Sequence, residues 1–85
     1  MKFLESLVNM KLNTINRADL LQLAKQNGIA LSTAETDQIV VELHGKNYNL
    51  FNDKHRNIIS KKISAIIGIE RAKQIEHVFL KLTGR

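Results

Sequence analysis

Three histidines, His44, His55 and His77, are the residues of this chain best suited to acid–base or metal chemistry near neutral pH. Their spacing argues against a metal centre. No two of them stand four apart on a helix, no Glu-x-x-His run occurs, and no cysteine is present to supply a thiolate. Serine, histidine and aspartate all occur, as in most proteins, but a triad is recognised by geometry, and no local nucleophile motif is present. The carboxylates are not paired, and Asp37 and Glu42 read as solvated charges on a helix. The four glycines are scattered rather than gathered into a phosphate-cradling loop. The residues therefore predict no catalytic, metal or cofactor site, no small-molecule substrate, and a protein that is not an enzyme.

The basic residues offer more. The formal net charge is +5, and its distribution is uneven. Residues 1–43 carry a net −1 and residues 44–85 a net +6. Such asymmetry suits an anionic partner. Lys54, Arg56, Lys61 and Lys62 fall on one expected helix, with Lys46 before it and Arg71 and Lys73 after it. That patch is the candidate surface for nucleic acid bound without sequence preference. Two points weigh against it: that face lacks stacking aromatics, and a Lys-rich composition alone yields a solvated basic face. Lys62 lies inside the apolar arc, where its stem should snorkel.

A second nucleic-acid pattern fails on charge. Leu23-Ala24 followed by Gly28-Ile29 looks like the turn of a helix-turn-helix. Yet residues 26–45 hold three acids and no Lys or Arg. A reading helix of that sign is repelled by phosphates. Gly28 is better read as an ordinary helix end.

The third candidate surface is apolar. Val41 and Leu80 fall off the main stripes of their helices, and Tyr48, Leu50 and Phe51 lie in a connection. Together they are candidates for contact with a protein partner or a second copy. The competing reading is burial on more than one helix face, and the apolar content of 46–52 already suggests that this connection packs on the core.

The elements that must position these residues follow from periodicity and caps. The chain has 85 residues, 44% of them hydrophobic, with no Pro and no Cys. The expectation is an all-α fold: one helical domain over 1–85, a small bundle of four to five short helices held by aliphatic packing. A first helix spans 2–11, with Phe3, Leu4, Leu7 and Val8 on one face. A second starts at the Asn16 cap, with Asp19 as a short-armed capping-box partner and Ile15 and Leu20 at staple spacing. Its stripe is Leu20, Leu21, Leu23 and Ala24, and it ends at Asn27-Gly28. A third opens on the capping box Ser32-Thr33-Ala34-Glu35, buries Ile39, Val40 and Leu43, and ends at Gly45.

A fourth helix opens at Asn52-Asp53 with a stripe of Ile58, Ile59, Ile63, Ile66 and Ile67. A second stripe, Ala72, Ile75, Val78, Phe79 and Leu82, is out of phase with the first at about 100° per residue. One straight helix cannot bury both against one core, so the chain should break at Gly68 and fold back. The alternative is one long helix over 53–82 shared between two chains. Met1–Asn9 is interrupted by Glu5 and Ser6 and does not read as a signal peptide. No window approaches the ~18 apolar residues of a membrane span. A cytoplasmic location without membrane contact is the default expectation.

Val8-Asn9 with Asn13-Thr14-Ile15, then Gln26-Asn27-Gly28-Ile29, then Gly45-Lys46-Asn47 with Asn49-Leu50-Phe51 carry a resemblance over nearly the whole chain. It resembles a family of short uncharacterised proteins from Bacillus-type bacteria, known only as a domain of unknown function. Asn16 stands where that pattern has Thr, and Gly68 where it has Ser; both changes keep a capping role. The resemblance implies a cytoplasmic bacterial protein and carries over no catalytic residue. The leading expectation is a non-enzymatic protein–protein interaction or regulatory module, with a homodimer included. Nonspecific nucleic-acid binding is the second reading.

Overall fold

A computed structural model describes the backbone of residues 2–82 and the side chains of residues 5–82. Five helices follow one another: α1 (Lys2–Asn13), α2 (Arg17–Gln26), α3 (Thr33–Leu43), α4 (Asp53–Ile67) and α5 (Ile69–Leu82). The fold is all-α, as periodicity indicates, and no strand occurs among the described residues. Each of α2 to α5 packs on the next in chain order. Helix α1 is tied mainly to the connection over 44–51, through hydrogen bonds.

The helix ends follow from their capping residues. The Asn16 side chain accepts the Asp19 N–H at 2.9 Å. The return half of that box is not made, because an aspartate arm is one methylene too short. Ser32 and Glu35 make the full reciprocal box, each bond 3.0 Å long. Gly28, at φ +69, closes α2 in a Schellman motif. Its own N–H reaches the Lys25 carbonyl, and the Ile29 N–H reaches that of Ala24. Asn52 caps α4 by accepting from both Lys54 and His55 N–H groups.

Gly68 makes the predicted break. It adopts φ +88 and ψ 163, a region almost confined to glycine. Its N–H finishes α4 on the Ser64 carbonyl, and its own carbonyl starts α5 by accepting from Ala72. It therefore caps through backbone groups alone, in a conformation that Ser adopts only with strain. The long shared helix does not form.

The core gathers Leu20, Ile39, Leu43, Leu50, Ile63 and Ile75, with Thr36 satisfied by the Ser32 carbonyl. Some expectations need correction. Helix α1 runs two residues past its predicted end, because the Asn13 carbonyl takes the Gly45 N–H at 2.8 Å. The side chains of Phe3 and Leu4 lie outside the described residues. Ile58 is 42% exposed, since the buried arc of α4 runs through Ile59, Ile63 and Ile67 and leaves it at the edge. Leu82 keeps its phase but is 45% exposed at the end of α5. Leu21 and Leu23 are half-buried.

Candidate docking groove

The site is built on asparagines. Asn9, half-buried on α1, accepts the Leu50 N–H through Oδ1 and donates through Nδ2 to Asn49 Oδ1, both at 2.9 Å. Asn49 Oδ1 also accepts the Phe51 N–H, and the Asn49 N–H donates to His55 Nδ1 at 2.8 Å. One turn along α1, Asn13 offers its carbonyl to Gly45 and its side-chain oxygen to the Asn47 N–H. Asn47 sits at φ +58, a conformation asparagine tolerates better than most residues. An imidazole closes the same corner: His44 Nδ1 lies 3.0 Å from the Ile15 carbonyl. These bonds satisfy backbone groups that the irregular connection leaves without helical partners.

The space left is a groove of about 430 Å³. Val8 and Leu12 of α1, Leu23 of α2 and Phe79 and Leu82 of α5 line it, with the buried Leu50 of the connection at its floor. Lys11, Asp19, Gln22 and Gln26 add polar groups to the lining. This volume is in the range of ligand pockets, and an apolar lining with a few polar groups is their usual composition. Among the described residues no cluster of three or more His, Asp or Glu is placed to hold a metal ion.

Of the candidate surface residues named from sequence, only Leu50 lines this groove. Leu50 is 1% exposed, so it belongs to the floor and core and not to an exposed patch. Tyr48, Phe51 and Leu80 are half-buried. Val41 alone stands free, 67% exposed on α3. The apolar candidates are thus not brought together into one exposed surface. The groove residues Val8, Leu23 and Phe79 were missed because each sits on a stripe that reads as core, and Leu12 because it falls beyond the predicted end of the first helix.

The basic candidates divide. Lys54 and Lys61 are exposed on α4. Arg56 turns inward, pairing with Asp53 and donating to the Leu50 carbonyl at 2.8 Å. Lys62 pairs with Glu42 at 2.9 Å, which corrects the reading of Glu42 as merely solvated. That bond raises the Lys62 pKa and lowers that of Glu42. Asp37 is likewise held, by a bidentate pair with Arg17 at 2.7 Å that lowers its pKa. Arg71 grips Glu35 with two bonds of 2.9 and 2.6 Å and donates to the Ala30 carbonyl. The Arg71 bonds, aided by the Ser32 N–H, hold the Glu35 carboxyl down at about 2. Arginine is the side chain best shaped for phosphate, and Arg17, Arg56 and Arg71 are each occupied by a carboxylate of the chain.

The family described as "Protein of unknown function (DUF2624)" matches residues 1–83. The "Uncharacterized protein YqfT" of Bacillus subtilis (strain 168) is 30% identical over 79 residues, spanning 93% of this chain and 94% of that protein. No solved structure matches. The motifs that carry the family resemblance now have a physical account. Asn9, Asn13, Asn47 and Asn49 are the asparagines that join α1 to the connection, and Gln26-Asn27-Gly28-Ile29 is the Schellman end of α2.

Proposed function

This chain belongs to the DUF2624 family, and we propose that it is a non-enzymatic helical interaction module that docks an apolar segment of a partner protein in the groove between α1, α2 and α5. The observation that supports this reading is the groove itself. Its floor and walls are apolar, while the polar groups of Lys11, Asp19, Gln22 and Gln26 belong to its lining as well. Such a lining suits an amphipathic helix, whose large side chains fill the floor while its polar face meets the rim. The surface is binding-competent without a nucleophile, a metal ligand set or a phosphate loop. The basic-surface reading rests on Lys54 and Lys61 once Arg56 and Lys62 are counted as internally paired. Neither lysine lines the groove.

The test is site-specific photo-crosslinking in the native host. A crosslinker at Gln22 should capture a discrete partner. Capture should be lost in Leu82→Lys, which places a charge in the groove, and kept in Val41→Lys, which places the same charge on exposed α3. Capture that survives Leu82→Lys sinks the docking reading. Sedimentation of the purified chain at rising concentration separates a second copy from a foreign partner.

A further inference from the structure

We propose that the groove is acid-gated through His55, whose protonation frees the Asn49–Leu50 end of the connection and loosens its hold on Asn9 of α1. The proposal rests on the docking reading for what the gate controls. Its geometry stands without that reading.

The Asn49 backbone N–H points at His55 Nδ1 from 2.8 Å. An amide N–H can only donate, so Nδ1 must present its lone pair and the ring proton must sit on Nε2. A proton taken up at Nδ1 turns the acceptor into a donor and sets two N–H groups against each other. The bond cannot survive in the imidazolium form. The other imidazole of this region has the opposite polarity. His44 Nδ1 faces the Ile15 carbonyl, which can only accept, so that bond requires a proton on Nδ1 and persists when the ring becomes charged. Acid therefore breaks one end of the connection and spares the other.

The broken end is the one that carries the groove floor. Asn49 carries the bond from Asn9, and Asn9 in turn holds the Leu50 N–H. Leu50 is the groove floor, and Asn9 follows Val8 of the wall. The groove floor and Asn9 of α1 are thus joined by one polar chain that ends at the His55 ring. The groups around that ring are few. Helix α4 supplies Asp53 and Arg56, paired with each other, and Lys62, which is paired with Glu42 of α3. The connection supplies Tyr48, edge-on with ring centroids 5.8 Å apart. Helix α1 supplies Asn9, which carries no charge.

The test uses NMR on the whole chain, with no partner present, as pH is lowered. The His55 ring signals report its own protonation. Amide exchange at Asn49 and Leu50, corrected for the intrinsic effect of pH, reports the two bonds. Protection at both should fall about tenfold, as expected for the loss of roughly one hydrogen bond, in step with the His55 ring and not with His44 or His77. His55→Phe keeps a ring against Tyr48 but cannot accept, so both amides should be poorly protected at every pH. Unchanged protection at Asn49 while His55 titrates overturns the proposal, and the wild-type chain alone decides this if the variant misfolds. Loss at Asn49 with Leu50 unaffected overturns the coupling to the groove. Because no partner is in the sample, failure here is distinct from failure of docking, which the crosslinking experiment reads by itself.

Discussion

At the scale of single residues, the acidic side chains do more than solvate the surface. Glu35 joins three elements: it completes its own cap at Ser32 and holds Arg71, which also reaches the Ala30 carbonyl. Its carboxyl is lowered from the ordinary 4.5 to about 2, chiefly by the Arg71 hydrogen bonds and then by the Ser32 N–H. The sign of the linkage follows. A carboxyl with a depressed folded-state pKa contributes stability that is complete above the unfolded value and lost as pH falls toward the folded one. Urea midpoints measured between about pH 4.5 and 2 should therefore fall less steeply in Glu35→Gln than in the wild type. Some slope should remain, because Asp37 and Glu42 are lowered in the same direction by Arg17 and Lys62. Equal slopes in the two proteins contradict the assignment. Asn9→Ala tests a neutral contact at the same scale. It leaves the Leu50 N–H of a buried residue without an acceptor, a loss of about 1–3 kcal/mol readable in the same denaturation curves.

At the scale of elements, a single glycine decides the topology of the C-terminal half. Nothing lies within 4 Å of where a Gly68 Cβ would stand, so a side chain there meets no steric wall. The obstacle is the backbone, at φ +88 and ψ 163. Gly68→Ala should cost about 1–3 kcal/mol for that reason alone. The relaxed alternative is a continuous α4–α5 helix, which exposes one of its two out-of-phase stripes until a second chain covers it. Size-exclusion chromatography should then show a domain-swapped dimer in the variant that is absent in the wild type. A variant that is as stable as the wild type and unchanged in size argues against Gly68 as the breaker. These helix ends were legible in the sequence because capping is local: Asn16, Ser32, Gly28, Asn52 and Gly68 each act within four residues of themselves. The extension of α1 was not legible, since Asn13 is capped by Gly45 from far along the chain.

At the scale of the whole molecule, the groove escaped the sequence for a similar reason. Val8, Leu23, Leu50 and Leu82 come from four separate stretches; three of them read as ordinary core residues, and Leu50, a candidate for partner contact, gives no sign of the others until α1 is placed. What places α1 is a set of asparagines, which in a sequence look like loop filler. This manner of attachment has an energetic consequence. Helices α2 to α5 interlock through Leu20, Ile39, Leu43, Ile63 and Ile75, all nearly sealed from solvent. Helix α1 contributes Leu12 to that core and Val8 at its margin, while Leu7 and Met10 face water. Polar clamps contribute modest net stability, whereas each large core side chain contributes about 2–5 kcal/mol by the cost of its truncation. The molecule should therefore open in parts, with α1 leaving first. Native-state hydrogen exchange in low urea checks this. The amides of α1 should converge on an opening free energy well below that of α4 and α5. Ile63→Ala should lower the α4 and α5 values while leaving the α1 gap narrower, because the global limit drops and the local one does not. If α1 amides exchange only through global unfolding, the groove wall is as firmly built as the core. A partner would then have to fit the groove as it stands, and acid could not open it.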